Sequence, residues 1–200
     1  IISLYMFDIL IPHQIFPKRL SLDFALLALI ALLVLPLVTR AERAFAIYPY
    51  AVKNCYEQMY QLGLFLRKFY SGQTVVAADI GAINYLADIK LIDIAGLGNA
   101  EVIAAKKDHK FNKDFVRKMA CVNNAQIVAM GRRLFENYIP DEWIEVGQWH
   151  ITDNVLAGDS TIYFYAPDAS LVTNISSNLH KFSNQLPPSV VQSGIYLVNQ

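Results

Sequence analysis

The side chains best suited to chemistry are carboxylates in one stretch, VVAADIGAINYLADIKLIDIAGLGNAEV, at residues 75–102. Asp79 follows one apolar run and Asp93 lies near the end of the next, with Asp88 and Glu101 in the same stretch. Two converging carboxylates can act as general acid and base, and a single one accepts hydrogen bonds from hydroxyl groups. Proximity in sequence does not establish that any two of them converge, so both roles stay open.

Asp79 and Gly81 are expected at the carboxyl end of a buried strand, where open α/β sheets bind their ligands. We expect Asp79 mainly to cap the short helix that follows, with ligand contact as a second role. Gly81 allows a backbone conformation that other residues avoid.

A nucleotide- or SAM-binding turn is the alternative chemistry for this stretch. The segment DIGAINY supplies one glycine where a dinucleotide fingerprint requires three. Asp93, the candidate ribose acceptor, follows Asp79 by 14 residues, whereas the usual spacing is about 20. An enzyme of this class requires an open cleft beside Gly81 and an unpaired Asp93.

Composition and the metal-binding residue types point to no cofactor. The four histidines are scattered, and Cys55 and Cys121 form neither a CxxC motif nor a zinc spacing. Lys+Arg 17 balance Asp+Glu 17, so no net charge attracts nucleic acid. The sequence therefore indicates no metal, no cofactor and no nucleic-acid partner.

Alternating helices and strands must position the candidate residues. The predicted elements are strands at 74–78, 90–94 and 125–130, helices at 81–87, 99–107 and 111–122, an antiparallel strand pair at 143–151 and 161–166, and a helix at 168–182. This order predicts an α/β fold: a mixed sheet with flanking helices and a C-terminal antiparallel hairpin, preceded by one transmembrane helix.

Two apolar patterns predict packing faces. The first predicts an amphipathic helix at 51–70. Its stripe comprises Val52, Cys55, Tyr56, Met59, Leu62, Gly63, Leu66 and Phe69. The second pattern is the pair Trp143 and Trp149, six residues apart in one strand, which are expected on the same side. That pair is interpreted first as a core stripe and second as a platform on which sugar rings stack.

The segment LSLDFALLALIALLVLPLV, at residues 20–38, carries one charge and predicts a transmembrane helix. It would span roughly 28 Å as a helix, close to the thickness of the hydrocarbon core. Two basic residues flank each end, so the charge rule leaves the orientation open. We therefore divide the chain into the end of a preceding membrane segment or loop (1–19), a transmembrane helix (20–39) and an α/β domain (44–200).

Four motifs follow one another along the chain in the order in which they occur in a known group of proteins. They are Glu57-Gln58 on a helix, Ala78–Ile83, Asp93–Leu97 followed by Asn99, Glu101 and Val102, and the hairpin segment WIEVGQW at 143–149. Over Val52–Leu186 the chain resembles the C-terminal part of bacterial multi-span membrane glycosyltransferases of the GT-C superfold. Ala78 departs from that group, which commonly has Asn at this position.

The resemblance implies a function. Such enzymes transfer a sugar from a polyprenyl-phosphate donor to an acceptor at the outer face of the membrane. Their catalytic acidic residue lies in an early extracytoplasmic loop that has no counterpart here, so no catalytic residue is assigned and the chain is expected to be inactive alone. The domain would lie outside the bacterial inner membrane, over the active site, with the lipid bilayer, a lipid-linked sugar and an envelope acceptor as partners.

Six side chains near the strand ends are candidate substrate contacts under this interpretation. They are Asp79, Asn84, Tyr85, Asp93, Asn99 and Glu101. The alternative is a non-catalytic, membrane-anchored binding or scaffolding module of the cell envelope. That alternative is favoured if the acids at the strand ends are buried and bonded to backbone amides.

Overall fold

The computed structural model describes residues 18–198 of the 200-residue chain. Most of the predicted preceding segment, 1–19, lies outside the described residues. The chain divides into two compact units, the first ending at Tyr48 and the second beginning at Pro49.

One long helix, α1 (Lys18–Asn54), makes up the described part of the first unit and enters the second. Leu and Ala, which dominate its first half, are strong helix formers. The helical run continues through a π-helical turn (Cys55–Tyr60) into α2 (Gln61–Phe69). Among the described residues, this run from Leu22 is the one helix long and apolar enough to cross a membrane, as a membrane anchor or a signal sequence would.

The second unit is built on a six-stranded mixed sheet. Its strands are β1 (Thr74–Ala77), β2 (Lys90–Asp93), β3 (Ala125–Met130), β4 (Ile144–His150), β5 (Thr161–Ala166) and β6 (Val191–Ser193). Their spatial order is β2-β1-β3-β5-β4-β6, with β1 parallel to β2 and β3 and the remaining pairs antiparallel. This confirms the predicted α/β class and the C-terminal hairpin, whereas β6 was not predicted.

Helices cover both faces of the sheet. The remaining ones are α3 (Ala82–Leu86), α4 (Ala100–Lys107), α5 (Lys113–Val122) and α6 (Val172–Ser183). Successive residues of β1 point to opposite faces, so Val75 packs in one core with α2 and α6 and Val76 in another with α4 and α5. Phe65 anchors the first core, with its ring centroid 5.4 Å from that of Trp149 and 5.5 Å from that of Phe182.

The two tryptophans lie on opposite faces of the sheet, so the prediction of a shared side is wrong. Trp149 belongs to the core beside Phe65, and Trp143 packs in the other core beside Tyr165. The reason is a β-bulge in β4 between Glu145 and Gly147, because an extra residue reverses the alternation of the strand. Both rings are buried, so neither offers a sugar-stacking platform.

The predicted stripe of the 51–70 helix is wrong over its first half. The buried residues there are polar: Asn54, Glu57, Gln58 and Gln61. Val52 and Tyr56 are instead exposed. The π-helical turn explains the difference, because its wider turn shifts the face that points inward. From Leu62 onward the predicted stripe is confirmed, with Leu62 and Leu66 fully buried.

Candidate functional site

A small cleft, here called the Asp79 cleft, lies where the parallel strands end. It has a volume of about 100 Å³. Its lining comes from the loops after β1, β2 and β3 and from the loop before β5. The polar and glycine positions in that lining are Asp79, Gly131, Arg133, Gly158 and Asp159. This is the edge at which open α/β sheets bind ligands, so we take the cleft as the candidate functional site.

Asp79 is partly buried in this cleft, and its side chain makes no hydrogen bond among residues 18–198. Burial raises the pKa of Asp79, and the negative charge of Asp159 raises it further. A carboxyl group in this setting takes up a proton more readily than an exposed one, and it donates a hydrogen bond when protonated.

The predicted capping role of Asp79 is wrong. Helix α3 begins at Ala82, so the capping position falls on Gly81, two residues after Asp79, and no side chain caps the helix. Gly81 has φ of 101°, which confirms that a glycine is required there. The Asp79 carboxylate therefore accepts no capping hydrogen bond from the backbone of α3.

Asp159 forms the facing wall of the cleft and lies in the loop before β5. Its Oδ1 accepts a hydrogen bond from the Thr161 N–H at 3.0 Å, and its Oδ2 accepts one from the Arg133 N–H at 2.9 Å. A Cβ at Gly131 would lie 2.5 Å from the Cβ of Asp159, so only glycine admits this approach. A glycine directly after β3 was the one signal available in the sequence.

The loop at residues 152–160, which carries Asp159, is held by the helix that follows the apolar segment. Asn54 Oδ1 accepts a hydrogen bond from the Val155 N–H at 2.8 Å, and Lys53 Nζ lies 3.7 Å from the Asp153 carboxylate. Gln58 Nε2 donates to the backbone oxygen of Asp159 at 3.0 Å. Polar residues at the end of α1 and in the π-helical turn thus position one wall of the Asp79 cleft.

The buried carboxylate of Glu57 lies on the same face as Gln58. It accepts a hydrogen bond from the Ser189 hydroxyl through Oε1. Glu57 Oε2 and Gln58 Oε1 have no partner among the described residues. Buried polar atoms are normally satisfied, and Trp149 Nε1 is the third such atom without a partner among residues 18–198.

Asp93, Asn99 and Glu101 do not line the cleft with free side chains. The Asp93 carboxylate is buried and accepts hydrogen bonds from three backbone N–H groups: Ala95 at 2.8 Å, Gly96 at 3.1 Å and Gly98 at 2.7 Å. Asn99 caps α4, accepting from the N–H groups of Glu101 and Val102. Glu101 is exposed in the first turn of that helix.

Asn84 and Tyr85 lie on the exposed side of α3. They line a different concavity, at the opposite end of β1 and β2 from the cleft. The six candidates predicted as substrate contacts are therefore split: one lies in the cleft, three belong to the turn after β2 and the start of α4, and two belong to the second concavity.

The cleft has the chemistry of a hydrogen-bonding site for a hydroxyl group. It presents one carboxyl group with a raised pKa and one oriented by backbone amides. No group of three or more His, Cys, Asp or Glu side chains among residues 18–198 could hold a metal ion. Asp93 is paired, so the requirement for a ribose acceptor is not met.

Fold and site together define a mixed α/β domain that follows an apolar helix and carries a polar cleft at the ends of its parallel strands. The family model described as "Domain of unknown function (DUF8728)" matches residues 47–165. The match covers more than half of the chain, so the chain belongs to this family. It includes every residue that lines the Asp79 cleft. No curated protein and no solved structure matches the chain.

Proposed function

We propose that the chain is the C-terminal part of a membrane glycosyltransferase that uses a polyprenyl-phosphate sugar. In this proposal the apolar helix is embedded in the bacterial inner membrane. The α/β domain lies on the outer side and contributes to acceptor binding, while the catalytic acid belongs to another part of the enzyme. The chain alone is then inactive.

One observation carries the proposal: three of the four motifs of the glycosyltransferase resemblance line one cleft or contact its wall. Gln58 donates to the backbone oxygen of Asp159, which lies in the loop between β4 and β5. Asp79 and Ala95, from the other two motifs, line the cleft with Asp159. Motifs far apart in sequence that converge on one concave site are expected when that site is functional.

The cleft would act by binding and orienting an acceptor. A hydroxyl group both donates and accepts hydrogen bonds, so it suits a pair of carboxyl groups of which one is readily protonated. The raised pKa of Asp79 provides that asymmetry beside Asp159. An acceptor held in this way would have its orientation fixed without either aspartate taking part in bond breaking.

The gene provides the first test. We expect the reading frame upstream of Ile1 to encode several further apolar spans, with an acidic residue in the first outer loop. In membranes containing that longer protein, Asp79→Asn should lower sugar transfer from a polyprenyl-phosphate donor. Glu136→Gln, which neutralises an exposed carboxylate outside the cleft, is the matched control. A reading frame without further spans would refute the proposal.

The second candidate is a non-catalytic envelope-binding module, and a specific observation favours it. Asp93 lies at the end of β2 and Asn99 lies just before α4. Their side-chain oxygens accept hydrogen bonds from backbone amides. Such residues stabilise turns and leave few groups for chemistry. If the upstream frame lacks a catalytic loop, we expect the 200-residue chain to retain an envelope polysaccharide in membranes without turning it over.

A further inference from the structure

A second concavity, here called the Tyr85 groove, lies at the amino ends of β1 and β2. It is an open groove of about 730 Å³. It is formed where the end of α2 meets α3 and the segment leading into β2, with Arg67, Asn84, Tyr85 and Asp88 in its lining. Its volume suits a small-molecule site, and it shares no lining residue with the Asp79 cleft.

Tyr85 is the most unusual residue of the groove, because 89% of its surface is exposed. Helix α3 packs through other residues: Ile83 is buried and Leu86 rests on Gly63. The phenol ring thus has no packing role. A large, rigid, amphipathic ring that faces a groove is suited to cover the apolar face of a ligand.

The polar side chains around Tyr85 retain their hydrogen-bonding capacity. Arg67, Asn84 and Asp88 form no side-chain hydrogen bond or ion pair with other residues among 18–198. Arg67 offers hydrogen-bond donors, Asp88 offers acceptors, and the amide of Asn84 offers both. Sugar hydroxyls also donate and accept hydrogen bonds, so these side chains suit them. Arg67 and Asp88 carry opposite charges, so the lining favours a neutral ligand over a strongly charged one.

The groove is preformed by close contacts beneath it. A Cβ at Gly63 would lie 2.7 Å from Leu86 Cδ1, so the absence of a side chain allows α3 to lie directly on α2. The loop before β1 is tied to the start of β2, with the Lys90 N–H donating to the Gln73 oxygen at 2.8 Å. A preformed site avoids the cost of ordering its walls upon binding.

We propose that the Tyr85 groove is a saccharide-binding subsite: a neutral sugar ring lies on the phenol of Tyr85, and its hydroxyls bond to Asn84, Asp88 and Arg67. The inference rests on the proposed function only for the source of that sugar. The groove adds a second sugar contact at the opposite end of the parallel strands from the Asp79 cleft. An acceptor chain with several sugar units would supply a ring to it.

The test uses the 200-residue chain in lipid nanodiscs, with cellobiose and diacetylchitobiose as probes and saturation-transfer NMR as the readout. We expect both probes to receive saturation from the protein. Tyr85→Ala should weaken binding roughly tenfold, which is the size of one aromatic contact. Tyr85→Phe, which keeps the ring, should bind within about threefold of wild type. Tyr48→Ala, an exposed tyrosine of α1 outside the groove, should change nothing.

Two outcomes would overturn the proposal: no saturation of either disaccharide, or equal binding by wild type and Tyr85→Ala. Tyr85 is exposed, so its loss should not unfold the domain, and unchanged circular dichroism would verify this. Asn84→Ala is a second variant that should weaken binding without removing the ring. Sugar binding here with no transfer by the longer protein would reject the proposed function and retain the groove. Transfer that is insensitive to Tyr85, with no disaccharide binding, would reject the groove alone.

Discussion

At the residue scale, Asp79 couples the cleft to pH. Burial and the Asp159 charge raise its pKa, so the folded protein holds this proton more tightly than the unfolded chain does. Its contribution to stability is therefore present below the unfolded pKa and is lost as pH rises through the folded pKa. We expect Asp79→Asn to gain stability relative to wild type between about pH 3 and pH 7, measured by urea unfolding.

The matched control for this prediction is Asp88→Asn, which removes an exposed carboxylate. Its free energy of unfolding should follow that of wild type across the same pH range. If Asp79→Asn instead lost stability toward neutral pH, the ionised form of Asp79 would be the favoured one and the assignment of the cleft would fail.

The Asp93 side chain stabilises a turn by accepting hydrogen bonds. Asp93→Ala and Asp93→Asn should therefore lower the free energy of unfolding by different amounts. Asp93→Ala leaves three backbone N–H groups without an acceptor at a buried turn, and we expect a loss of about 3 kcal/mol. Asp93→Asn keeps the oxygen that serves Ala95 and Gly96 and should lose about half as much. Thermal unfolding followed by circular dichroism measures both, and equal losses would contradict this assignment.

The sequence placed Asp79 and Asp93 at strand ends correctly but could not separate their roles. Asp93 is paired because the next residues turn back and aim three N–H groups at it. Asp79 is free because two residues separate it from the start of α3. The approach of Asp159 to Asp79 depends on the sheet order, in which β5 lies beside β3, and no local pattern encodes that order.

At the element scale, the contact between α2 and α3 depends on Gly63. An alanine there would place its Cβ 2.7 Å from Leu86 Cδ1 and 3.1 Å from Leu86 Cβ. We expect Gly63→Ala to destabilise the protein by about 1–3 kcal/mol and to weaken disaccharide binding in the Tyr85 groove, because α3 must move outward. Urea unfolding and the NMR titration measure the two effects.

Gly158→Ala is the control for Gly63→Ala. Its added Cβ would meet nothing within 4 Å, so stability should change by no more than about 0.5 kcal/mol. The double variant Gly63→Ala/Leu86→Ala removes the clashing side chain and should recover part of the sugar binding. No recovery would show that the spacing of α2 and α3 does not shape the groove.

Hydrophobic periodicity predicts the helices and strands, but it does not predict the irregularities within them. The strands at β1, β2 and β3 are apolar runs between turn residues, so they were predictable. The bulge in β4 and the π-helical turn each add one residue to a regular repeat. Tertiary contacts offset the free-energy cost of both irregularities. Each irregularity reversed or rotated the face predicted for the residues around it.

At the scale of the whole molecule, the main feature of α1 is a first half long and apolar enough to cross a membrane. Replacing Leu29 and Leu33 by lysine puts two charges into the middle of the predicted span, at about 2.5–3.5 kcal/mol each on insertion scales. We expect the double variant to lose membrane integration, measured as the fraction that resists carbonate extraction. Val122→Lys, at an exposed position of α5, should leave that fraction unchanged, and full retention of the helix variant would contradict an embedded segment.

The bulge in β4 has a practical consequence. Trp143 and Trp149 are the two tryptophans of the chain, and each is buried on a different face of the sheet. The domain therefore carries one indole fluorophore for each half of its interior. With Trp143→Phe and Trp149→Phe in hand, the emission of the remaining indole reports the loosening of one face alone, so the two halves of the domain can be watched separately without an added label.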